Sequence, residues 1–253
     1  VLAGDGEGKL VLWNVQATEA VRVFSDGTGE TGHTREITSI VFSEDNSRAL
    51  TGSVDRTMIL WDVATGEPIQ TYDHGGRILG VGFAADEAQV YSGSSDDAII
   101  VWDTATGEAV TTINIGMDGE TRYTTAIAFH QGNDFALTGH TDGNVNLWQV
   151  NEGRRITTYD YNFSNSDSNP KQITALSFRN DGLAALVGAR NRVVFEVRTL
   201  PLDELILWTR ANRYIPTLSC EEREIYNIAC DTPEMTPTPS AEESAEGTGD
   251  TTG

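Results

Sequence analysis

The sequence is poor in cysteine, in basic residues and in long apolar runs. Its 253 residues include 2 cysteines, too few for a disulfide framework. No run of about 18 apolar residues occurs, so no segment is suited to insert into a membrane as a helix. The 17 Lys and Arg residues stand against 38 Asp and Glu, which gives a formal net charge of −21. Nucleic acids and anionic membrane surfaces both require a cationic footprint, so neither is expected as a partner. The negative charge is explained by solubility or, alternatively, by a preference for basic protein partners.

Motifs that carry chemistry are also scarce. The four histidines are His33, His74, His130 and His140. No pair of them has metal-ligand spacing, and none lies in a Ser-His-Asp arrangement that the sequence supports. The stretch GDGEGKL has the glycines of a phosphate loop but lacks its G-x-x-x-x-G-K-S/T pattern. We therefore predict no catalytic residue, no metal site and no cofactor.

The two cysteines, Cys220 and Cys230, lie near the end of the chain. If both belong to one helix, a rise of about 1.5 Å per residue separates them by about 15 Å, too far for a disulfide. A disulfide requires the chain to turn back before Cys230. Both alternatives stay open.

The sequence does contain one short motif that occurs five times, as KLVLWNV, MILWDV, IIVWDT, VNLWQV and RVVFEV. Its aromatic position is occupied by Trp13, Trp61, Trp102, Trp148 and Phe195, separated by 41 to 48 residues. A period in this range indicates an array of one supersecondary unit. Such arrays usually bind partners through variable loops gathered on one face rather than transform substrates.

The clearest copy covers residues 32–72. Alternating and β-branched residues predict strands at ITSIVF, RALTGS, TMILWDV and PIQTY. Turn-forming residues separate them at SEDNS, VDR and ATGE. Four short antiparallel strands in each repeated unit predict the blade of a β-propeller.

This copy resembles a WD40 repeat in Gly32-His33, Thr51-Gly52-Ser53, Asp55 and Trp61-Asp62, and the resemblance extends over residues 1–198. It implies a hydrogen-bonded set of His, Ser or Thr, Asp and Trp that ties neighbouring strands together. By position the members are His33, Thr51, Asp55 and Trp61, then His74, Ser92, Asp96 and Trp102, then Thr138, Asp142 and Trp148.

The other copies depart from this pattern. Glu120 stands at the His position of the copy that ends at Trp148. The last copy has Asn169, Val187 and Phe195 at the His, hydroxyl and Trp positions, and the first has Ala3 and Glu7 at the hydroxyl and Asp positions. We expect those blades to depend on apolar packing alone.

The first copy of the repeat lacks its first strand and begins within its second strand, and the last copy lacks a clear fourth strand. We therefore predict an all-β, WD40-type propeller of about four and a half blades of four antiparallel strands over residues 1–200. The resemblance to WD40 proteins implies a closed ring of seven blades most often, and the chain starts without Met. We therefore expect the C-terminal part of a longer array. A complete small ring is the alternative.

The connections at residues 25–31, 116–122 and 160–171 are long. In WD40 proteins such loops share one face with the Asp-bearing turns, and that face is usually where partners dock. His140 is expected on this face and His130 on the opposite one. A basic residue precedes each first strand: Arg35, Arg77, Arg122 and Lys171. We predict that they attract a carboxylate or phosphate of a protein partner, or alternatively that each pairs with an Asp such as Asp55, Asp96 or Asp142.

Residues 201–230 have helical spacing and predict two short helices that cap the last blade. They are similar to a tail of large bacterial WD40 proteins, matching at Trp208, Asn212, Arg213, Leu218, Ser219, Glu222 and Tyr226. Residues 231–253 are acidic, rich in Thr and Pro, and are predicted to be disordered. Such a tether favours the bacterial cell envelope over the cytoplasm, and a plain solvated tail is the alternative.

Together these features predict a non-catalytic protein-interaction scaffold, the sensor or docking propeller of a multidomain bacterial protein. One alternative is a propeller enzyme or small-ligand binder with a site in the central channel. Another is a structural protein of the envelope.

Overall fold

The computed structural model describes residues 1–28, 31–116, 123–132, 134–160, 172–190 and 192–199. These residues form eighteen strands and no helix. The predicted helices at 201–230, the predicted disordered segment at 231–253, and both cysteines lie outside this range. The helical tail therefore stays a prediction.

The strands form five sheets, which we call blades 1 to 5. Blade 1 comprises β1 (Leu2–Gly4), β2 (Lys9–Asn14) and β3 (Glu19–Asp26). Blade 2 comprises β4 (Ile37–Phe42), β5 (Arg48–Ser53), β6 (Thr57–Asp62) and β7 (Pro68–Asp73). Blade 3 comprises β8 (Ile78–Phe83), β9 (Gln89–Ser94), β10 (Ala98–Asp103) and β11 (Ala109–Asn114). Blade 4 comprises β12 (Thr124–Phe129), β13 (Phe135–His140), β14 (Asn144–Gln149) and β15 (Arg154–Asp160). Blade 5 comprises β16 (Ile173–Phe178), β17 (Ala184–Ala189) and β18 (Val194–Arg198).

Each blade is an antiparallel meander in chain order. The predicted strands of the clearest copy coincide with β4 to β7, and the all-β prediction is confirmed. Three four-stranded blades lie between two three-stranded ones, in line with the predicted partial first and last copies. The pairing register shifts at Trp61, Trp102 and Trp148 between the third and fourth strands of blades 2 to 4, and at Trp13 between β2 and β3 of blade 1. Such a shift is a β-bulge, and it recurs at the aromatic position of the repeat.

Consecutive blades pack through their first strands, so that β4, β8, β12 and β16 contact one another in turn. A glycine near the end of each second strand makes this possible. A Cβ on Gly52 would lie 2.3 Å from Cγ2 of Ile78, and one on Gly139 would lie 2.4 Å from Cγ2 of Ile173. The recurring glycine therefore leaves room for an isoleucine from the next blade.

Aromatic contacts fill the core between blades. Phe24 of blade 1 meets the ring of Trp61 edge-on, with 5.8 Å between centroids, and Tyr72 of blade 2 meets Trp102 at 5.4 Å. The Tyr72 hydroxyl is buried and has no hydrogen-bond partner in the part of the chain that the structure describes. Burial raises the pKa of Tyr72 to about 12. Trp13, at the same repeat position in blade 1, is 43% exposed.

In blades 3 and 4, a carboxylate in the turn between the first and second strands bonds to the preceding blade. Glu87 of blade 3 forms an ion pair with Arg48 of blade 2 and accepts a 2.7 Å hydrogen bond from the Glu44 amide. Asp134 of blade 4 accepts a 2.7 Å hydrogen bond from the Tyr91 hydroxyl of blade 3. These contacts hold the turns of neighbouring blades at fixed positions.

Candidate protein-docking face

In blades 2 to 5 the segment before the first strand is joined to the turn after the second strand. The amides of Val54, Ser95, Thr141 and Arg190 donate to the carbonyls of Glu36, Arg77, Tyr123 and Gln172, at 2.9 to 3.1 Å. We call the surface formed by these segments the loop face. It comprises residues 33–36 and 54–57 in blade 2, 74–77 and 95–98 in blade 3, 123 and 141–143 in blade 4, and 172 and 190 in blade 5.

A buried polar set supports the loop face in blade 2. The hydroxyl oxygen of Thr51 accepts a 2.8 Å hydrogen bond from Trp61 Nε1 and lies 2.7 Å from His33 Nε2. His33 Nδ1 lies 3.0 Å from a carboxylate oxygen of Asp55. His33, Thr51 and Trp61 are fully buried. The structure thus brings together the four residues of the first predicted set.

Asp55 anchors the turn at the outer end of this set. Burial by itself would raise the pKa of the Asp55 carboxyl, but hydrogen bonds from His33, Thr57 and Thr34 hold that pKa well below its usual range. The main-chain amides of Thr34 and Thr57 each donate to it at 2.9 Å. Asp55 is therefore ionised at neutral pH and fixes both segments of the loop face in this blade.

Blade 3 repeats the set with the imidazole reversed. His74 Nδ1 lies 2.7 Å from Ser92 Oγ, which accepts a 2.7 Å hydrogen bond from Trp102 Nε1. His74 Nε2 is 3.5 Å from Asp96, whose side chain is 47% exposed. This nitrogen has no hydrogen-bond partner among the residues that the structure describes. Burial lowers the pKa of His74, against the opposing pull of Asp96 and Asp73.

Ser92, His74 and Asp96 are the residue types of a hydrolytic triad, but their environment is a structural one. Ser92 is fully buried, and its hydroxyl oxygen is engaged by the indole of Trp102. A substrate carbonyl has no access to this oxygen, so the geometry does not meet the requirement for a nucleophile.

Blade 4 differs from the predicted arrangement. Trp148 Nε1 donates to Thr138 Oγ1 at 3.0 Å, as in the other blades, whereas Asp142 accepts hydrogen bonds from the amide and the side chain of Asn144 in its own turn. Asp142 therefore orders the turn between β13 and β14. Glu120, at the predicted His position, lies outside the described residues.

The prediction that His140 lies on the loop face is wrong, because His140 belongs to the buried polar set of blade 4. It is 1% exposed, and its Nε2 lies 3.0 Å from both Thr138 Oγ1 and Asn146 Nδ2. The imidazole thus comes from the end of the second strand rather than from the loop before the first strand. The available signal was Asn146, a polar residue where blades 2 and 3 have Ile59 and Ile100.

The end blades lack the polar side chains of this set at the hydroxyl position, where they have Ala3 and Val187. Val187, at the hydroxyl position of blade 5, is fully buried, and Phe195 stands at the Trp position. In blade 1, Ala3 and Glu7 are exposed. Asn169 lies outside the described residues.

Two of the predicted cations, Arg35 and Arg77, are exposed on the loop face. Neither forms an ion pair within the described ranges. Asp55 is engaged by His33, and Asp96 accepts from Ser94, so the alternative pairing with these carboxylates is not seen. Arg122 and Lys171 lie outside the described residues.

Arg56 is a cation of this face that the sequence reasoning missed, because VDR was considered only as a turn. It is exposed and has a left-handed backbone, with φ of 80°. Its carbonyl accepts a 3.1 Å hydrogen bond from the His74 amide, which places it between the segments that carry Arg35 and Arg77. A groove of about 510 Å³ adjoins Arg35, and its lining includes Glu7 and Glu36.

Two further features were searched for within the part of the chain that the structure describes. No group of three or more His, Cys, Asp or Glu side chains is arranged to hold a metal ion there. No helix among those residues is long and apolar enough to cross a membrane.

Meandering four-stranded sheets that pack through their first strands define a β-propeller. The model of the WD domain, G-beta repeat family matches residues 24–62, 66–103 and 110–149. Over 80% of its length the chain is similar in structure to the Myceliophteria thermophila Cps50 (Swd1) β-propeller domain, with a TM-score of 0.66, 20% identity and 62% of that chain covered. The three matched segments are WD40 repeats.

Among sequence relatives, the chain is 25% identical over 192 residues to the guanine nucleotide-binding protein subunit beta of Solanum tuberosum, which covers 76% of this chain and 38% of that protein. It is 48% identical over 40 residues to protein Mut11 of Chlamydomonas reinhardtii, covering 16% of this chain and 11% of that protein. The chain thus spans less than half the length of the first of these relatives.

Proposed function

We propose that the chain is a non-catalytic scaffold that binds a protein partner through its loop face. The observation that carries this proposal is the exposure of Arg35, Arg56 and Arg77 on that face, without an ion pair in the described region, in a chain of net charge −21. A free guanidinium presents a planar set of donors that matches carboxylate or phosphate oxygens. The partner segment is therefore acidic or phosphorylated.

The net negative charge does not prevent such binding at physiological ionic strength. Exposed charges are screened beyond a Debye length of about 8 Å, so contacts at the face outweigh the charge of distant residues. Arg122 and Lys171 precede the first strands of blades 4 and 5 in the sequence, and we include them in the proposed binding face.

Fluorescence anisotropy with labelled peptides tests the proposal. The probes are a Glu-rich peptide, a phosphoserine peptide and a matched Gln-rich peptide, each added to the full chain. Arg35→Glu combined with Arg77→Glu should weaken binding of the first two by about tenfold or more, since each lost charge contact is worth about fivefold. Arg155→Glu, at an exposed position of β15, is the matched control and should leave binding unchanged.

The proposal would be contradicted if the Gln-rich peptide bound as tightly as the Glu-rich and phosphoserine peptides. It would also be contradicted if the variant with both Arg35→Glu and Arg77→Glu bound those two peptides as tightly as the unmodified chain does. Absence of binding by all three peptides would favour the structural alternative.

We also propose that the chain is the docking part of a larger multidomain protein. The relatives named above are eukaryotic, so the bacterial source and the envelope location expected from residues 201–253 stay predictions. Sequencing the whole reading frame tests them directly.

A further inference from the structure

A second cavity lies at the end of the first strands that is opposite the loop face. It has a volume of about 520 Å³ and is bounded by blades 2 to 5. Its lining includes one wall of apolar side chains, among them Val41, Val81, Phe83, Phe129, Leu176 and Phe178. A cavity of this volume is within the range of sites for small molecules.

The position of the walls is fixed by bonds between blades. Gln131 of blade 4 donates a 2.8 Å hydrogen bond to the Phe42 carbonyl of blade 2, past the intervening blade 3. The Glu87–Arg48 ion pair joins blades 2 and 3 at the same end. The cavity is therefore preformed and needs no rearrangement to open.

His130 is a polar residue of this wall whose imidazole has no hydrogen-bond partner among the described residues. It follows Phe129 at the position where blade 2 has Ser43, whose hydroxyl bonds within its own turn. His130 is 8% exposed, and its ring contacts the Phe178 ring edge-on at 5.4 Å. Its amide donates to the Phe135 carbonyl at 2.9 Å, whereas its imidazole makes no hydrogen bond within the described ranges. Its Nδ1 is sealed from solvent, so a ligand in the cavity can reach only the ring edge that carries Nε2.

The charge of the lining favours a cation. Glu87 is neutralised by Arg48, and Arg179 by Asp181. Glu44 is exposed, and its carboxylate forms no ion pair in the described part of the chain. One negative charge, that of Glu44, therefore has no ion-pair partner among the described residues at the edge of a cavity with an aromatic wall.

We propose that this cavity binds a small organic amine that carries an aromatic ring. The ring packs against the phenylalanine and valine wall, the ammonium group lies beside the Glu44 carboxylate, and a polar ring substituent meets the Nε2 edge of His130. The site is remote from the loop face and does not depend on the function proposed for that face.

Methyl NMR of the full chain tests this binding with three probes: tyramine, phenethylamine and 4-hydroxyphenylacetate. Both amines should shift the methyl resonances of Val41, Val81, Ile127 and Leu176, with dissociation constants on the order of 1 mM for ligands of this size. The acid matches tyramine in its ring but reverses the charge, so it should bind about fivefold more weakly or not at all.

Variants assign the two polar contacts. Glu44→Gln should weaken both amines by about fivefold. His130→Ala introduces the residue that blade 3 has at this position, Ala84, and should weaken tyramine more than phenethylamine. Glu108→Gln, at an exposed turn remote from the cavity, is the matched control and should change nothing.

The proposal is overturned if no saturable shift appears with either amine up to about 10 mM. It is equally overturned if the acid binds as well as tyramine, or if Glu44→Gln binds the amines as the unmodified chain does. Unchanged shifts of core methyl groups outside the cavity show that each variant is folded.

Discussion

Thr51 is the residue whose replacement tests most directly how the buried polar set supports a blade. Thr51→Val keeps the shape of the side chain and removes only the hydroxyl. That hydroxyl oxygen accepts from Trp61 Nε1 at 2.8 Å and lies 2.7 Å from His33 Nε2, and all three residues are fully buried. The variant therefore leaves an indole N–H and an imidazole nitrogen without partners in a site that water does not reach.

The expected loss of stability follows from these two groups. A buried polar group left without a partner costs about 1–3 kcal/mol, so the free energy of unfolding should fall by about 2–5 kcal/mol. The total stability of a domain is about 5–15 kcal/mol, so this is a large fraction. Thr71→Val, at an exposed position of β7, is the control and should change stability by less than about 0.5 kcal/mol.

Blade 5 suggests the compensating change. It has Val187 and Phe195 at the positions of Thr51 and Trp61, and Val187 is fully buried there. In the Thr51→Val background, Trp61→Phe removes the unsatisfied indole N–H. The double variant should therefore be more stable than the sum of the single effects predicts, by about 1–2 kcal/mol.

Urea unfolding followed by far-UV circular dichroism measures these differences, with native-state hydrogen exchange at β5 and β6 to localise them. Exchange is needed because blades of a repeat array can unfold separately. A loss of less than about 0.5 kcal/mol in Thr51→Val, or strict additivity in the double variant, would refute the reasoning.

Three further predictions use the same unfolding assay. Tyr72→Phe should raise stability by about 1 kcal/mol, because it removes a buried hydroxyl that has no hydrogen-bond partner within the described ranges. Gly139→Ala should lower stability by about 1–3 kcal/mol, because the new Cβ would lie 2.4 Å from Cγ2 and 2.7 Å from Cβ of Ile173, close to the backbone of that residue. Stability should also fall as the pH drops below about 6.5, because the folded state lowers the pKa of His74 and the unfolded chain binds this proton more readily. The pH dependence should be weaker in His74→Asn.

Each of these has a matched control or a contradicting result. Gly6→Ala, at a site with no atom within 4 Å of the new Cβ, should be nearly neutral. A loss of stability in Tyr72→Phe would show that its hydroxyl has a partner. If His74→Asn had the same pH profile of stability as the unmodified chain, another group would be responsible for the loss of stability at acidic pH.

The strands of blade 2 were predictable because each depends on local pattern. Alternation and β-branched residues defined β4 to β7, and the recurring aromatic defined the period. The role of His140 was not predictable in the same way. Its imidazole reaches Thr138 along its own strand and Asn146 across the sheet, so its place depends on register rather than on spacing along the chain.

The candidate site was predictable in kind but not in composition. Arg35 and Arg77 stand out in the sequence by their recurrence before first strands. Arg56 does not recur, and only the hydrogen bond from the His74 amide to its carbonyl shows that its turn lies between the other two segments. The free state of these guanidinium groups depends on which carboxylates are already engaged, and only the folded chain shows that.

The sequence alone determined the repeat and the all-β class, because these follow from periodicity and from residues that recur in phase. The resemblance to a WD40 repeat implied the first polar set. The tertiary structure alone decided where His140 lies, which arginines form no ion pair among the described residues, and that a cavity with His130 and Glu44 opens at the opposite end of the first strands. The physical reason is the range of the interactions. Strand pattern is set by neighbours along the chain, whereas pairing of charges and the shape of cavities are set between blades, by residues about 40 or more positions apart.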